Sequence, residues 1–195
     1  MSSCPRTRPH VREHGLTMTV EAPDVVAPPG ERQRDHSAAR PSAPFVVRKM
    51  TEADLDRAMA ILACWNMAPR AASAEEPDPE RDRIDIANRF VAVEDGRVVG
   101  VCSYFVHGRE LVETASLAVD PSCKTWGIGE ALQEARLDEM RRRGFGKVRT
   151  EADRPKVIAW YKRKFGYTEV GKNPKKHAFS LPEVDVWTVL ELDLQ

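Results

Sequence analysis

Leu117-Ala118-Val119-Asp120-Pro121-Ser122-Cys123-Lys124-Thr125-Trp126-Gly127-Ile128-Gly129 is the stretch on which the fold turns. An apolar, β-type run stops at Asp-Pro and passes through a short basic loop straight into a helical pattern. From Gly127 onward the apolar residues are Ile128, Ala131, Leu132, Ala135 and Met140, the spacing of an amphipathic helix. The opposite face reads Gln133, Glu134, Arg136 and Asp138. Arg141, Arg142 and Arg143 crowd the last turn, where the helix dipole favours cations, and Gly144 supplies the stop. That placement explains the arginines better than a nucleic-acid patch does. Gly127 and Gly129 let backbone N–H groups approach a ligand without interference from Cβ. Those N–H groups are the open donors of a helix N-terminus, so a pyrophosphate is the expected guest, with Lys124 adding charge. A lone G-x-G also fits a turn that merely closes a β-to-α connection. It is neither the dinucleotide fingerprint, which needs a third glycine, nor a Walker loop, which needs Lys-Ser/Thr.

Upstream, the clearest β signal is Phe90-Val91-Ala92-Val93 and Val98-Val99-Gly100-Val101-Cys102 around Asp95-Gly96. Asp-Gly between two such runs marks a hairpin. A second reversal at His107-Gly108 leads to a strand over 111–119, so 89–119 reads as three antiparallel strands. Alternation along that third strand puts Glu113, Ala115, Leu117 and Val119 on one face. Before the hairpin, Phe45 to Lys49 is a short β run, and Thr51-Glu52-Ala53-Asp54 is a capping-box-like start to a helix with Leu55, Met59 and Leu62 on one face. Residues 68–79 read as a loop, and a short helix is expected around 80–88.

Downstream, Lys147 to Glu151 is a short strand. Pro155 suits the first position of a helix that runs to Phe165 and stops at Gly166. Val186 to Leu194 alternates as a long, half-buried strand.

The chain has 195 residues and a formal net charge of zero. About 150 residues suffice for a self-supporting core. A zero balance argues against a nucleic-acid partner, and no apolar run approaches the roughly 20 residues that span a bilayer. Residues 1–43, rich in proline and arginine, cannot offset their chain entropy by burial and are expected to form a disordered tail ahead of a domain over 44–195. Met18 is a plausible alternative start. No apolar segment follows the first arginines, so the start does not read as a signal peptide. Cys4, Cys64, Cys102 and Cys123 show neither CxxC spacing nor a histidine partner, so no metal is expected. Cys64 and Cys102 read as buried free thiols, which makes a cytoplasmic location the default.

Lys124-x-x-Gly127-x-Gly129 closely resembles the pyrophosphate-loop motif of the GNAT acetyltransferases, whose first position is usually Arg or Gln. Leu117 to Pro121 looks like the end of that family's fourth strand. Trp160-Tyr161-Lys162-Arg163-Lys164-Phe165-Gly166-Tyr167 resembles its Leu-Tyr-x-x-x-Gly-Phe segment, and the order of elements from Phe45 to Leu194 matches. The resemblance implies an α/β (α+β) fold with a mixed, mostly antiparallel sheet of about six to seven strands flanked by about four helices. It implies acetyl-CoA as acetyl donor, held by Leu117, Ala118, Val119, Lys124, Thr125, Trp126, Gly127, Ile128, Gly129 and Glu130. The acceptor it implies is a primary amine, here of a small molecule or amino acid, that attacks the thioester directly. A homodimer is common in the family. The position of Arg154 often carries an Asn that contacts the cofactor arm. That departure keeps a second reading open, a catalytically silent module that binds acyl-CoA as a sensor or docking unit.

Direct attack needs a base for the ammonium, a donor for the tetrahedral oxyanion and an acid for the leaving thiolate. Tyr161 occupies the place of the family's usual acid, although its spacing to Val157 and Phe165 equally fits a core tyrosine. Glu113 is the candidate base, against the reading of a carboxylate exposed at a strand edge. His107 and His177 are rivals for that role. The oxyanion donor is expected to be a backbone N–H near Leu117 to Val119. Lys172, Lys175, Lys176 and His177, with Glu183 and Asp185, either attract an anionic group of the acceptor or form a solvated loop. Trp65 and Trp187 fit a pocket wall or the core.

Overall fold

A computed structural model describes residues 44–68, 86–175 and 179–194. The expected tail and alternative start, most of the 68–79 loop, the first part of the helix around 80–88, Lys176 and His177 lie outside those residues.

Seven strands form one sheet: β1 (Phe45–Lys49), β2 (Arg89–Glu94), β3 (Arg97–Val106), β4 (Leu111–Val119), β5 (Lys147–Ala152), β6 (Thr168–Pro174) and β7 (Val186–Asp193). Their order is β1-β2-β3-β4-β5-β7-β6. Among the described residues only β4 and β5 pair in parallel. The three antiparallel strands expected over 89–119 are β2, β3 and β4, and the β2–β3 turn has positive φ at both Asp95 (49°) and Gly96 (78°). The α-helices are α1 (Leu55–Cys64), α2 (Ile128–Arg142) and α3 (Pro155–Phe165). Among the described residues these are three, against about four expected, with 3-10 turns at Glu52–Asp54 and Ile86–Asn88.

Local chemistry sets the helix ends. The Asp54 carboxylate accepts from the Thr51 N–H and hydroxyl, both at 2.8 Å, and from two Arg48 nitrogens at 2.6 and 2.8 Å. Proline opens α3, and Gly166 closes it with φ 77°. At the end of α2, Arg141 pairs with Asp138 and Arg142 with Glu139, while Arg143 donates to the Tyr104 hydroxyl at 2.8 Å.

The sheet has a core on each face. On one, Ala58, Ile61 and Leu62 of α1 pack on Val91, Val98, Val101 and Ala118. On the other, Ile128, Leu132, Leu137 and Met140 of α2 and Tyr161 of α3 pack on Phe90, Cys102, Tyr104, Val112, Val148 and Leu190. The α2 contact is close. A Cβ on Gly100 would lie 2.8 Å from Ile128 Cγ2 and 2.9 Å from Leu132 Cδ1, so any side chain there would force these α2 residues to shift. No helix among the described residues is long and apolar enough to cross a membrane.

Three expectations are corrected here. Cys64 is exposed at the end of α1, while Cys102 is buried as expected. Gln133 and Arg136, assigned to the solvent face of α2, are both fully buried, because that helix is covered by α3 as well as by the sheet. The facing along β4 is also different. The ladder pairs Phe105 with Glu113 and Ser103 with Ala115, then Val101 with Ala118, so β4 carries one extra residue. Ser116, at φ 52°, marks this bulge. Glu113 and Ala115 therefore share a face with Ala118 and α1, whereas Leu117 and Val119 pack on the α2 side.

Candidate active site

The parallel pairing of β4 and β5 covers only Leu111 to Thr114 against Lys147 to Thr150. Beyond it β4 runs on to Val119, and among the described residues no strand pairs with that edge, so the two strands fork. The Asp120 N–H donates to Val99 O at 2.8 Å, so Asp120 faces β3. By the alternation of an antiparallel ladder the Val119 N–H and C=O point the other way, into the fork. Trp65, at the end of α1, donates its indole N–H to Val119 O at 2.7 Å. The Arg154 guanidinium lies 5.3 Å from the Trp65 ring, and its Nε donates to Ser180 Oγ at 3.0 Å. Trp65 and Arg154 thus reach across the mouth of the fork from α1 and from the start of α3.

The loop from Asp120 to Gly127 is pinned at both ends. Asp120 accepts from the Ser122 N–H at 2.9 Å and hydroxyl at 2.7 Å and pairs with Arg57. The Ser122 bonds, with Arg57 behind them, outweigh burial and hold the Asp120 carboxyl below the usual range. Further along, the Thr125 hydroxyl donates to Glu94. Gly127 caps α2 with φ 88°, a conformation that suits glycine. At Gly129 the geometry asks for nothing special: an added Cβ would meet only Val119 Cγ2, at an ordinary 3.9 Å. The space beside Gly129 is therefore free for a ligand. Lys124 is exposed, and Trp126 is 93% exposed at the loop's tip. Ile128 buries its side chain in the core, leaving only its backbone to face a ligand, and Glu130 pairs with Lys164 at 3.1 Å.

Beneath the fork, on the α2 face, lies a buried polar cluster. Arg136 donates to Gln133 Oε1 (2.6 Å), to the carbonyls of Ser103 and Ala115 (both 3.0 Å) and to Tyr161 Oη (2.9 Å). The two carbonyls flank the β4 bulge, where the ladder is interrupted. Gln133 donates in turn to Tyr167 Oη at 3.0 Å, and the Tyr161 and Tyr167 rings meet edge-on at 5.1 Å. Burial pushes the Tyr167 phenol well up. Tyr161 is thus buried, with its hydroxyl in a polar network at the root of the fork.

Glu113 lies on the opposite face. Its carboxylate is 2.9 Å from His107 Nε2. Burial and, second, the neighbouring Glu151 push its carboxyl up, against the opposing pull of His107 and Arg149. The sequence treated Glu113 and His107 as rivals, and the fold makes them partners. Arg149 is held by Glu191 at 2.7 Å, and Glu151 accepts from Asn173 at 2.6 Å.

Within the lysine run, Lys175 departs from both expectations. The Lys175 ammonium is buried, bonded to Asp153 at 2.6 Å and to the carbonyls of Phe179 (3.0 Å) and Leu181 (2.7 Å), and lies 4.2 Å from the Trp187 ring. Burial alone would raise the Asp153 carboxyl, but Lys175, the Leu181 N–H and Ser180 outweigh it and hold it low. Lys175 neither reaches for an anion nor sits in solvent. Lys172 is exposed on β6.

The family model described as Acetyltransferase (GNAT) family matches residues 56–167. The chain belongs to the GNAT acetyltransferase family. The family's acyltransferase scaffold here spans α1 through Tyr167, and so includes the fork, the Lys124–Gly129 loop, the Arg136 cluster and Glu113. Solved structures share this GNAT fold. Ard1 of Thermoplasma volcanium is 20% identical with a TM-score of 0.60, over 78% of this chain and 99% of that one. The ribosomal-protein-S18-alanine N-acetyltransferase of Escherichia coli is 19% identical with a TM-score of 0.59, over 77% and 94%. The yncA protein of Salmonella typhimurium, solved with its cofactor acetyl-CoA, is 22% identical with a TM-score of 0.55, over 78% and 95%. Among proteins of curated function no sequence matches.

Proposed function

We propose that residues 44–195 transfer an acetyl group from acetyl-CoA to a primary amine of a small molecule or amino acid. The observation that carries this reading is the fork itself: an open β4 edge that leads onto a glycine loop and the start of α2. In this reading the CoA pyrophosphate lies on the N–H groups of Gly127 to Glu130 with Lys124 beside it, and the thioester arm follows Leu117 to Val119 into the fork. The presence of acetyl-CoA in the Salmonella relative supports the donor. The amine approaches from the α1 face. There the Glu113–His107 pair takes a proton from the ammonium, directly or through water. The amine nitrogen forms its bond to the acetyl carbon while a backbone N–H near Val119 holds the oxyanion. The C–S bond then breaks with its electron pair going to sulfur, Tyr161 gives that sulfur its proton and recovers one from solvent, and the nitrogen gives up its second proton to solvent. The products are the amide, CoA thiol and one proton.

The test is thiol release from acetyl-CoA with a panel of primary amines, including amino acids. Turnover with at least one amine, lowered at least about tenfold in Tyr161→Phe with similar acetyl-CoA affinity, is the expected result. An unchanged rate in that variant rejects Tyr161 as the acid. Arg154, bound to Ser180 and stacked on Trp65, favours the second reading, a silent acyl-CoA-binding module. That module would bind acetyl-CoA and release no thiol with any amine.

A further inference from the structure

Among the described residues, Arg136 is an arginine buried without a carboxylate partner. It is fully buried, and among the described residues its hydrogen-bond partners are all neutral: Gln133 Oε1, two backbone carbonyls and the Tyr161 hydroxyl. A buried guanidinium is costly, and proteins usually place a carboxylate against it. Here carbonyl dipoles carry that task, and the site keeps a net positive charge. The charge sits where it can matter. Ala115, whose carbonyl it holds, is the first β4 residue past the pairing with β5. Tyr161 Oη accepts from Arg136, so the phenol keeps its own proton for a second partner.

The other ionisable groups around this pair leave the charge intact. Tyr167 packs against Tyr161 from just before β6, and the Cys102 thiol faces Arg136 from β3, pushed up by burial. Glu130 of α2 is paired with Lys164 of α3, Asp153 at the end of β5 with Lys175, and Glu113 lies on the far face of β4.

We propose that Arg136 is a positioning residue for acyl transfer, a buried cation that holds and polarises the Tyr161 hydroxyl toward the departing CoA sulfur. The inference rests on the CoA site proposed above. With the cation behind the phenol oxygen, the O–H becomes a stronger donor, and negative charge developing on sulfur is stabilised through it. No new bond is made or broken by Arg136. It acts on the step in which the C–S pair moves to sulfur and Tyr161 supplies the proton.

The experiment uses CoA itself, so it needs no acceptor. The full-length protein is saturated with CoA, as judged by calorimetry, and the thiol of the bound molecule is titrated by its ultraviolet thiolate absorbance. Bound to the wild type, that thiol is expected to ionise at least about one pH unit below the value of free CoA titrated under the same conditions. Arg136→Gln and Tyr161→Phe should each remove the shift, Arg136→Lys should keep most of it, and the Arg136→Gln/Tyr161→Phe double variant should lose no more than Tyr161→Phe alone. A wild-type complex that titrates at the ordinary value overturns the inference, as does a shift untouched by Tyr161→Phe. A shift untouched by Arg136→Gln overturns it as well, and if that variant does not fold, loss of the shift in Arg136→Lys does so. Absence of CoA binding by the wild type would overturn the proposed function together with this inference, whereas binding with an unshifted thiol would overturn the inference alone.

Discussion

Glu113 and His107 face each other at 2.9 Å on the α1 side of β4, and this pairing makes the general-base assignment testable. Burial pushes the Glu113 carboxyl up, so it is protonated at pH values where an ordinary glutamate, near 4.3, has already ionised. A base must be ionised to act. The acid limb of kcat/KM against pH should therefore lie above the usual carboxylate range, with activity rising as pH rises through it, and the limb belongs to the Glu113–His107 pair as a unit. Glu113→Gln should abolish that limb and lower the plateau at least about tenfold. An identical profile in the variant would remove Glu113 from the mechanism. These candidate residues were legible in the sequence. Glu113 stood out as a carboxylate on an apolar strand, and Tyr161 by its place before Phe165-Gly166. Gln133 and Arg136 were not, because polar residues at helical spacing opposite an apolar stripe read as a wet face. What buries them is tertiary: α3 covers them, and the bulge and two tyrosine hydroxyls supply their partners. The only local hint was the mutual spacing of Gln133 and Arg136, which lets one side chain bond the other.

Elements locate the fork, and here the strand-to-helix stretch from Leu117 was the most informative part of the sequence. A β run that meets Asp-Pro, then a glycine loop, then an i, i+3, i+4 pattern specifies β4, the loop and α2 with little ambiguity. The bulge at Ser116 escaped, since nothing about Ala115-Ser116-Leu117 marks an extra residue, and simple alternation then placed Val119 on the wrong face. The parting of β4 from β5 is likewise a matter of how far each strand finds a partner. Gly129 separates the demands of folding from those of binding. Its Cβ position is open to an ordinary contact, and alanine is the better helix former by up to about 1 kcal/mol. Gly129→Ala should thus melt at the same temperature or slightly higher, yet bind acetyl-CoA at least about tenfold more weakly, because the new methyl occupies the path of the pyrophosphate. Equal affinity by calorimetry would mean that the ligand does not pass there.

At the scale of the molecule, a buried ion pair joins segments that lie far apart in the chain. Lys175 and Asp153 tie the end of β6, the loop at Phe179 to Leu181 and the end of β5 together. Lysine-rich composition suggested a solvated loop, and burial of such a residue follows only from the carbonyls and carboxylate that converge on it. Lys175→Met leaves Asp153 buried and unpaired and should cost about 3 kcal/mol at neutral pH in urea unfolding. In the wild type the Asp153 carboxyl is held low in the folded state, so its contribution is present above the ordinary carboxylate range and is lost as pH falls through its folded value. The deficit of the variant should accordingly narrow as pH falls below about 4. A pH-independent deficit would contradict the pairing. The claim on which everything else depends is that the fork and glycine loop receive acetyl-CoA. It is tested most directly by the thermal unfolding midpoint with and without excess acetyl-CoA, with adenosine as control. At about 100 times the dissociation constant the ligand should stabilise the fold by roughly 2.7 kcal/mol and raise the midpoint, while adenosine should not. An unmoved midpoint at millimolar acetyl-CoA would mean that the loop from Lys124 to Gly129 is only a turn.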